Sequence, residues 1–325
     1  MKAVLCKQYG LPDTLVIEDV PALTPAAGQV VVSMKAAGVN FPDALIIQGK
    51  YQMKPPFPFS PGTEIAGIVK AVGEGVQHPK PGDAVIAYAG YGGYAEEVAV
   101  DARACIPMPA GVDFTVAASF MMTYGTSYHA LKDRAQLQEG ETLLMLGAAG
   151  GVGSAAVELG KLMGARVIAA ASSADKLDAC KKLGADATID YSKEDLREAV
   201  KRITEGKGVD VVYDPVGDKF AEPAMRDMAW GGRYLVIGFA GGDIPKIPLN
   251  LPLLKGFSIV GVFWGSFTRK EPKKNEANVR ELLAWIAGGK LKPLVSEAFP
   301  LEQAAQALKD VMERKVKGKV VLVTG

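Results

Sequence analysis

A run of small residues follows the apolar stretch Thr142–Leu146 and has the composition of a phosphate-binding turn. It reads Gly147-Ala148-Ala149-Gly150-Gly151-Val152-Gly153. Glycines at this spacing allow a tight turn, close approach of a pyrophosphate to the backbone and close packing of the next helix on the strand. The N–H groups that begin such a helix carry partial positive charge and bind phosphate. The turn predicts a dinucleotide site at Ala148, Gly150, Gly151, Val152 and Gly153.

The surroundings of this turn decide between a binding site and a flexible loop. Ala148 stands where the pattern Gly-x-Gly-x-x-Gly has its first glycine, and a glycine run alone is also typical of a mobile loop. Here the run lies between an apolar strand pattern and a helix pattern with one apolar face, inside a series of alternating strands and helices. That context favours cofactor binding.

The end of the second strand of this series indicates which dinucleotide is bound. An acidic residue there accepts hydrogen bonds from the ribose 2′-hydroxyl of NAD. This chain has Ser172, Ser173 and Lys176 instead, which are donors and a positive charge suited to the 2′-phosphate of NADPH. Two alternatives stay open. Either serine caps the next helix while Lys176 is solvated, or Asp175 takes the place of the ribose acid and NADH is bound.

The elements around the turn predict an α/β protein with two kinds of domain. The first hundred residues contain short strand patterns broken by Gly and Pro, typical of a β-barrel-like domain. Alternating strand and helix patterns then predict a doubly wound parallel sheet. The tail is too short for a domain of its own. We therefore expect a barrel domain over residues 1–124, a parallel-sheet domain over 125–264, and a return to the barrel over 265–325.

Composition excludes several classes of function. The 325 residues carry a formal net charge of +1, which gives no field to attract nucleic acid or an anionic membrane. No apolar run is long enough to span a bilayer, and no signal peptide is recognisable at Met1, so we expect a cytoplasmic protein. Three scattered cysteines and two histidines lack the spacing of a zinc site.

Several motifs in fixed order give the sequence a family resemblance. They are Ala36–Asp43, Gln48–Tyr51, Pro58–Gly67, Pro81–Val85, Asp214–Gly217 and Gly318–Leu322. Together with the glycine turn they resemble the zeta-crystallin-like quinone oxidoreductases, the zinc-free branch of the medium-chain dehydrogenase/reductase superfamily. The resemblance covers essentially the whole chain. It implies a GroES-like catalytic domain and a Rossmann domain, with NADPH in the cleft between them.

The differences from the zinc-dependent alcohol dehydrogenases of that superfamily concern the metal. Asn40 stands where those enzymes have a cysteine ligand, Thr63 where they have a histidine ligand, and their four-cysteine lobe is missing. Asparagine and threonine supply neither the thiolate nor the imidazole that zinc prefers. The resemblance therefore implies no catalytic metal. It leaves reduction of an acceptor that is polarised by its own carbonyl group.

On the substrate side, the resemblance places Asn40, Phe41, Asp43 and Tyr51 in the pocket. Tyr51 and Asn40 are the candidate catalytic residues, since a phenol protonates an enolate or holds a carbonyl. Alternatives remain for three of them. The Tyr51 ring could belong to the core, Asn40 could fix a turn between a strand and a helix, and Asp43 is better explained as a helix-start residue than as a general base.

On the cofactor side, the resemblance implies a larger set of contacts. Thr126 would contact the nicotinamide ribose and Tyr191 the adenine. The other residues end Rossmann strands, where ligands bind in open α/β sheets: Gly217, Gly238, Phe239, Val262, Phe263 and Trp264. The last three would offer backbone groups to the carboxamide. Alternatively, these aromatic residues belong to the apolar core, which is the usual place for aromatic side chains after a strand.

The predicted function is transfer of hydride from NADPH to a quinone without zinc. An alternative in the same class is an enone or enoyl-thioester reductase in which Tyr51 donates the proton. An alternative of another class is an NADPH-binding structural protein or an RNA-binding protein. The near-zero charge argues against RNA as the main partner.

We also expect a homodimer, because the apolar strand pattern Phe257–Phe263 ends the Rossmann sheet and its edge would need a partner.

Overall fold

The computed structural model describes residues 1–325, which form two compact units. The first contains residues 1–122 and 293–325, and the second contains residues 123–292. The strands are β1 Lys2–Leu5, β2 Val16–Asp19, β3 Gln29–Val39, β4 Glu64–Val72, β5 Ala84–Tyr88, β6 Glu97–Asp101, β7 Cys105–Pro107, β8 Thr142–Met145, β9 Arg166–Ala171, β10 Ala187–Asp190, β11 Val209–Asp214, β12 Met228–Val236, β13 Ser258–Gly261, β14 Val295–Pro300 and β15 Lys319–Val323. The helices are α1 Phe41–Ile47, α2 Phe114–Ala117, α3 Met121–Tyr128, α4 Gly151–Leu162, α5 Ala174–Lys182, α6 Leu196–Thr204, α7 Ala221–Arg226, α8 Asn250–Lys255, α9 Trp264–Lys270, α10 Pro272–Ala287 and α11 Ala304–Met312.

The first unit is organised around the long strand β3. Apolar Val30, Val32 and Met34 on this strand are fully buried, as their alternation with Ser33 and Lys35 predicts. Strand β3 is antiparallel to β4, β6 and β15, and the main sheet has the order β14-β15-β3-β4-β5-β7. Strands β1 and β2 form a separate pair. This is the GroES-like unit.

The carboxyl-terminal segment completes the first unit. Strand β15 pairs with the end of β3, with Val320 opposite Val39 and Val321 opposite Gly38. Strand β14 adds in parallel to β15. Lys319 at the start of β15 therefore lies beside the residues that connect β3 to α1.

The second unit is a doubly wound Rossmann sheet. Its six strands are all parallel and have the order β10-β9-β8-β11-β12-β13. The chain builds outward from β8 to β10, then returns to the other side of β8 with β11. In open sheets of this kind ligands bind beyond the carboxyl ends of the strands at the point where the order reverses. That point lies between β8 and β11.

Helix α10 belongs to the second unit, whereas we expected residues from 265 onward to return to the first. Its packing explains the difference. The Trp285 ring contacts the Tyr128 ring edge-on at 5.3 Å, Asn278 donates to the buried Asp133 carboxylate at 2.8 Å, and Glu281 pairs with Lys132 at 2.6 Å. An amphipathic pattern shows that a helix packs on a core but does not say on which one.

No helix of the structure is both long and apolar enough to cross a bilayer.

The close contact of β4 with β3 leaves no room for a side chain at Gly67. A Cβ at this position would overlap the carbonyl oxygen of Ser33 and lie 2.8 Å from Val32 Cγ1. We expect Gly67→Ala to lower the free energy of unfolding by about 3 kcal/mol in equilibrium urea unfolding. The control is Gly75→Ala: no atom lies within 4 Å of the new Cβ, and the only strain comes from the positive φ of +80°. This substitution should lower the free energy of unfolding by about 1 kcal/mol. Equal losses would show that space at Gly67 does not decide the effect.

Candidate dinucleotide and substrate site

The glycine turn connects β8 directly to α4, and its shape depends on three glycines. Gly147 has a positive φ of +58°. Gly150 is the N-cap of α4, and a Cβ there would meet only Gly147 O at 3.4 Å, so this position faces open space. A Cβ at Gly153 would overlap Gly147 O and lie 2.9 Å from the Ala148 Cα. The turn therefore combines close packing beneath α4 with an open backbone above it, which fits a pyrophosphate.

Buried hydroxyl groups fix the first turn of α4 from below. Ser127 donates to the carbonyl oxygen of Val152 at 2.9 Å and is 2.8 Å from the Tyr213 hydroxyl. Both side chains are fully buried. Because Tyr213 lies on β11, this contact ties α4 to a central strand of the sheet. The N–H groups at the start of α4 thus keep a fixed orientation.

The end of β9 carries a pair of donors. Lys176 Nζ lies 3.3 Å from Ser172 Oγ, and the Ser172 side chain is exposed. Ser173 is the N-cap of α5, but its side chain makes no cap hydrogen bond and instead contacts the Asp175 carboxylate. The Ser173 hydroxyl therefore holds the Asp175 carboxylate at the start of α5. This arrangement brings Ser172 and Lys176 together, as a site for a phosphate group requires.

The loop after β11 is shaped by the buried carboxylate of Asp214. One of its oxygens accepts from the N–H groups of Val216 at 2.7 Å and Gly217 at 2.8 Å, and the other accepts from the Tyr234 hydroxyl. Burial raises the pKa of Asp214. Gly217 has a positive φ of +66°, and a Cβ there would lie 2.8 Å from the Phe239 ring. Gly238 follows β12 at the same edge of the sheet, as expected.

Tyr191 has an aromatic neighbour that the sequence reasoning missed. Its ring lies 4.5 Å from that of Phe220, and the Lys219 ammonium lies 5.3 Å from the Phe220 ring centre. Tyr191 also donates its backbone N–H to Ala171 O at 3.1 Å, which fixes it beside the end of β9. The two rings are inclined to each other by 44° and form an aromatic patch beside the end of β9. Their separation of 29 residues in sequence gives no local signal that they meet.

The segment after β13 is positioned by Trp264. The indole is buried, donates to Asn275 at 3.2 Å and packs so closely that a Cβ on Gly125 would be 2.8 Å from it. Gly125 precedes Thr126, so the indole also supports the backbone of α3. Phe263 is half exposed, and the N–H of Val262 donates to Val236 O at 3.0 Å. Trp264 thus has the core position that we considered as an alternative, and only its backbone remains for a cofactor.

In the first unit, Asn40 belongs to a buried polar cluster. Its Nδ2 donates to Glu64 Oε1 at 3.0 Å and lies 3.3 Å from Thr63 Oγ1, and its Oδ1 accepts from Lys319 Nζ at 2.6 Å. Only 5% of Asn40 is exposed. Because both polar atoms of the amide are used inside the protein, the structure favours the alternative in which Asn40 fixes the turn between β3 and α1.

Asp43 is enclosed rather than facing a pocket. Its Oδ2 accepts from the Asn40 N–H and from the Tyr94 hydroxyl, both at 2.9 Å, whereas its Oδ1 has no hydrogen-bond partner. Burial raises the pKa of Asp43 to about 7 and that of Tyr94 well above its usual range. A fully buried carboxylate does not line a substrate pocket, so in this structure Asp43 acts at the start of α1.

Tyr51 and Phe41 are both half-buried. Phe41 begins α1, and Tyr51 follows the turn that ends this helix. The Tyr51 ring packs against the apolar core of the first unit. Tyr51 is therefore anchored by its ring on a fixed turn while part of its surface remains accessible.

The residues of the cluster do not fit a zinc ion. The side chains in contact are an amide, a hydroxyl, one carboxylate and an ammonium, and no group of three or more His, Cys, Asp or Glu residues able to hold a metal is present. Zinc sites in proteins use thiolate, imidazole and carboxylate ligands. Lys319 and Glu64 were not singled out from the sequence. A lysine at the head of the apolar strand β15 was the available signal.

The parallel sheet and the glycine turn define a dinucleotide-binding protein of the Rossmann type. Residues 26–110 match the alcohol dehydrogenase GroES-like domain, and residues 151–287 match the family described as zinc-binding dehydrogenase. A quinone oxidoreductase-like protein 2 homolog from Nematostella vectensis is 40% identical over 99% of this chain and 89% of its own length.

Solved structures agree with these matches. A quinone oxidoreductase from Escherichia coli, complexed with NADPH, is 30% identical and has a TM-score of 0.93 over 100% of both chains. A probable oxidoreductase from Mycobacterium abscessus is 40% identical, with a TM-score of 0.90 over 100% of this chain and 99% of that one. The chain belongs to the quinone oxidoreductase family of the medium-chain dehydrogenases/reductases. The expected family and fold class are confirmed.

The enclosed carboxyl of Asp43 predicts a pH-dependent stability. Its pKa is about 7 in the folded state and about 3.9 when unfolded. Between these values the folded state holds a proton that the unfolded state has lost, so rising pH destabilises the fold. Asp43→Asn cannot titrate. We expect the stability of this variant relative to the wild type to rise by about 4 kcal/mol from pH 4 to pH 8, measured by urea unfolding.

Asp101 provides the control for this experiment. Hydrogen bonds from Arg103 lower the pKa of Asp101 to about 2, so it stays ionised between pH 5 and pH 8 in both states. Between pH 5 and pH 8, Asp101→Asn should leave the slope of the unfolding free energy against pH as it is in the wild type. If Asp43→Asn also left this slope unchanged, the folded protein would not hold an extra proton at Asp43.

Proposed function

We propose that this chain is an NADPH-dependent reductase that transfers hydride to quinones and needs no zinc. The observation that carries the proposal is the donor pair at the end of β9, where Lys176 and Ser172 lie 3.3 Å apart beside a glycine turn open to a pyrophosphate. The relative from Escherichia coli is a quinone oxidoreductase crystallised with NADPH. Bound NADPH would supply the hydride.

Different residues of the second unit would bind different parts of the cofactor. The N–H groups of Gly151, Val152 and Gly153 at the start of α4 would bind the pyrophosphate. Lys176 and Ser172 would bind the 2′-phosphate, because an ammonium and a hydroxyl are both donors to it. The aromatic surface of Tyr191 and its neighbour would contact the adenine.

The acceptor needs only modest help from the protein. A quinone or enone carries the carbonyl group that accepts the developing negative charge, so no Lewis acid is required at the site. The clustered polar residues of the first unit, which do not fit zinc, agree with this proposal. The three cysteines are unpaired, which suits the cytoplasmic location that we propose.

The direct test is NADPH oxidation by the purified protein against a panel of quinones, enones and enoyl-CoA thioesters. We expect turnover with at least one quinone, unchanged by prolonged treatment with a chelator. Activity that is lost with removal of bound zinc would overturn the metal-free mechanism. Tight NADPH binding without turnover of any acceptor would favour the alternative of a structural NADPH-binding protein.

The choice of NADPH depends on the charge of Lys176. Lys176→Met should raise the KM for NADPH about tenfold and leave that for NADH nearly unchanged, because one charge-assisted phosphate contact is lost. Lys181→Met, on the same helix and paired with Asp178, is the matched control and should change neither value. Wild-type protein that uses NADH with an equal or higher kcat/KM would refute NADPH as the cofactor.

A second candidate function is reduction of enones or enoyl thioesters, favoured by the position of Tyr51. This anchored, half-accessible phenol could protonate carbon after hydride transfer, a step worth about 10²–10⁴ in rate. A reduced quinone takes its protons on oxygen from water and gains little from a specific acid. Tyr51 therefore distinguishes the two candidate substrates.

We expect Tyr51→Phe to lower kcat strongly for enones and only slightly for quinones, since it removes the hydroxyl and keeps the ring. The control is Tyr9→Phe, which changes an exposed tyrosine of the same unit. Steady-state kinetics on both substrate classes decides the outcome. Equal, modest effects on the two classes would remove the catalytic role of Tyr51.

We also propose a homodimer formed at the edge of the Rossmann sheet. Strand β13 pairs with β12 on one side only, and near it in sequence Leu253 is 78% exposed and Leu254 69%. Trp230 on β12 is 81% exposed. An apolar edge of this kind is usually covered by a partner. A second copy would extend the sheet across a two-fold axis.

Light scattering at micromolar concentration should give the mass of a dimer. Leu254→Asp should give a monomer, because it places a charge on the proposed interface without disturbing a buried side chain. The exposed Leu11 lies in the other unit, and Leu11→Asp should stay dimeric. A wild-type monomer would exclude the dimer under these conditions.

A further inference from the structure

The polar cluster of the first unit contains a buried positive charge. Lys319 is 4% exposed, and its ammonium donates to Asn40 Oδ1 at 2.6 Å, Glu64 Oε1 at 2.9 Å and Val39 O at 3.1 Å. An ammonium has three hydrogens, so each of them has an acceptor. Three oxygens therefore converge on one cation inside the protein.

The carboxylate of Glu64 balances this charge. It is fully buried, and its second oxygen accepts from the Met122 N–H at 2.8 Å. Burial of either charge without the other is strongly unfavourable, because neither would have water to solvate it. Lys319 and Glu64 are thus required together, and each fixes the position of the other.

The oxygen environment of this ammonium is the kind that a metal cation uses. An amide oxygen, a carboxylate oxygen and a backbone carbonyl are all ligands of metal ions in proteins. A divalent ion bound by Asn40 and Glu64 would meet the Lys319 ammonium at contact distance and be repelled by it. Metal could enter only if Lys319 left.

We propose, as a step that rests on the zinc-free function proposed above, that Lys319 is a resident cation that takes the place of a metal ion at this site and keeps metal out of it. Lys319 is a positioning residue. Since its ammonium holds Asn40 Oδ1, the Asn40 Nδ2 group must face Glu64 and Thr63. The ammonium thereby sets the orientation of the amide at the turn before α1.

The contact between Asn40 and Thr63 makes a direct test available. Replacing them in the double variant Asn40→Cys/Thr63→His puts a thiolate and an imidazole beside Glu64, a ligand set that zinc favours. We expect this double variant to remain free of zinc while Lys319 is present. Adding Lys319→Met should produce stoichiometric zinc binding, measured as metal content after gel filtration and as a zinc-dependent rise in Tm.

A matched variant separates charge from shape. Adding Lys319→Arg to the same double variant keeps a positive charge and should keep zinc out. Stoichiometric zinc in the double variant with Lys319 intact would overturn the proposal, and so would a triple variant with Lys319→Met that folds and binds no zinc.

Stability measurements keep the proposal testable if the triple variant does not fold. Lys319→Met alone leaves the Glu64 carboxylate buried without a counter-charge, so its Tm should fall well below that of Lys319→Met/Glu64→Gln. A Tm for Lys319→Met equal to that of the wild type would show that the charge is not needed, and the proposal would fail. These readouts do not involve turnover, so they are independent of the proposed acceptor and cofactor.

Discussion

The nucleotide unit depends on the close approach of α4 to the turn that follows β8. Gly153 has no room for a side chain, since a Cβ there would overlap Gly147 O. This contact sets the first turn of α4 over the centre of the sheet, where the strand order reverses. Ser127 and Tyr213 then hold the same turn through Val152. Contacts within this unit therefore fix the orientation of the N–H groups that begin α4.

In the first unit a buried ion pair has the comparable role. Glu64 on β4 and Lys319 on β15 come from parts of the chain 255 residues apart and meet at 2.9 Å. The pair joins the returning carboxyl-terminal segment to the sheet built by the first hundred residues. The last strand of the first unit is thus held by this ion pair as well as by its backbone pairing with β3.

The sequence was sufficient to predict the elements whose signals are local. The turn at Gly147–Gly153 and the doubly wound sheet follow from residues close together in the chain. Contacts between distant residues were not predictable in this way. The neighbour of Tyr191, the place of α10 and the contacts of Lys319 with Asn40 and Glu64 depend on tertiary packing. For the same reason Asp43 was expected at a pocket and is enclosed.

We propose that the open turn and the donor pair at the end of β9 select NADPH. Calorimetric titration of the purified wild-type protein with NADPH and, separately, with NADH tests this directly, because it measures binding without an acceptor. We expect NADPH to bind at least about tenfold more tightly than NADH, the effect of a charge-assisted phosphate contact. Equal affinities, or tighter binding of NADH, would contradict it.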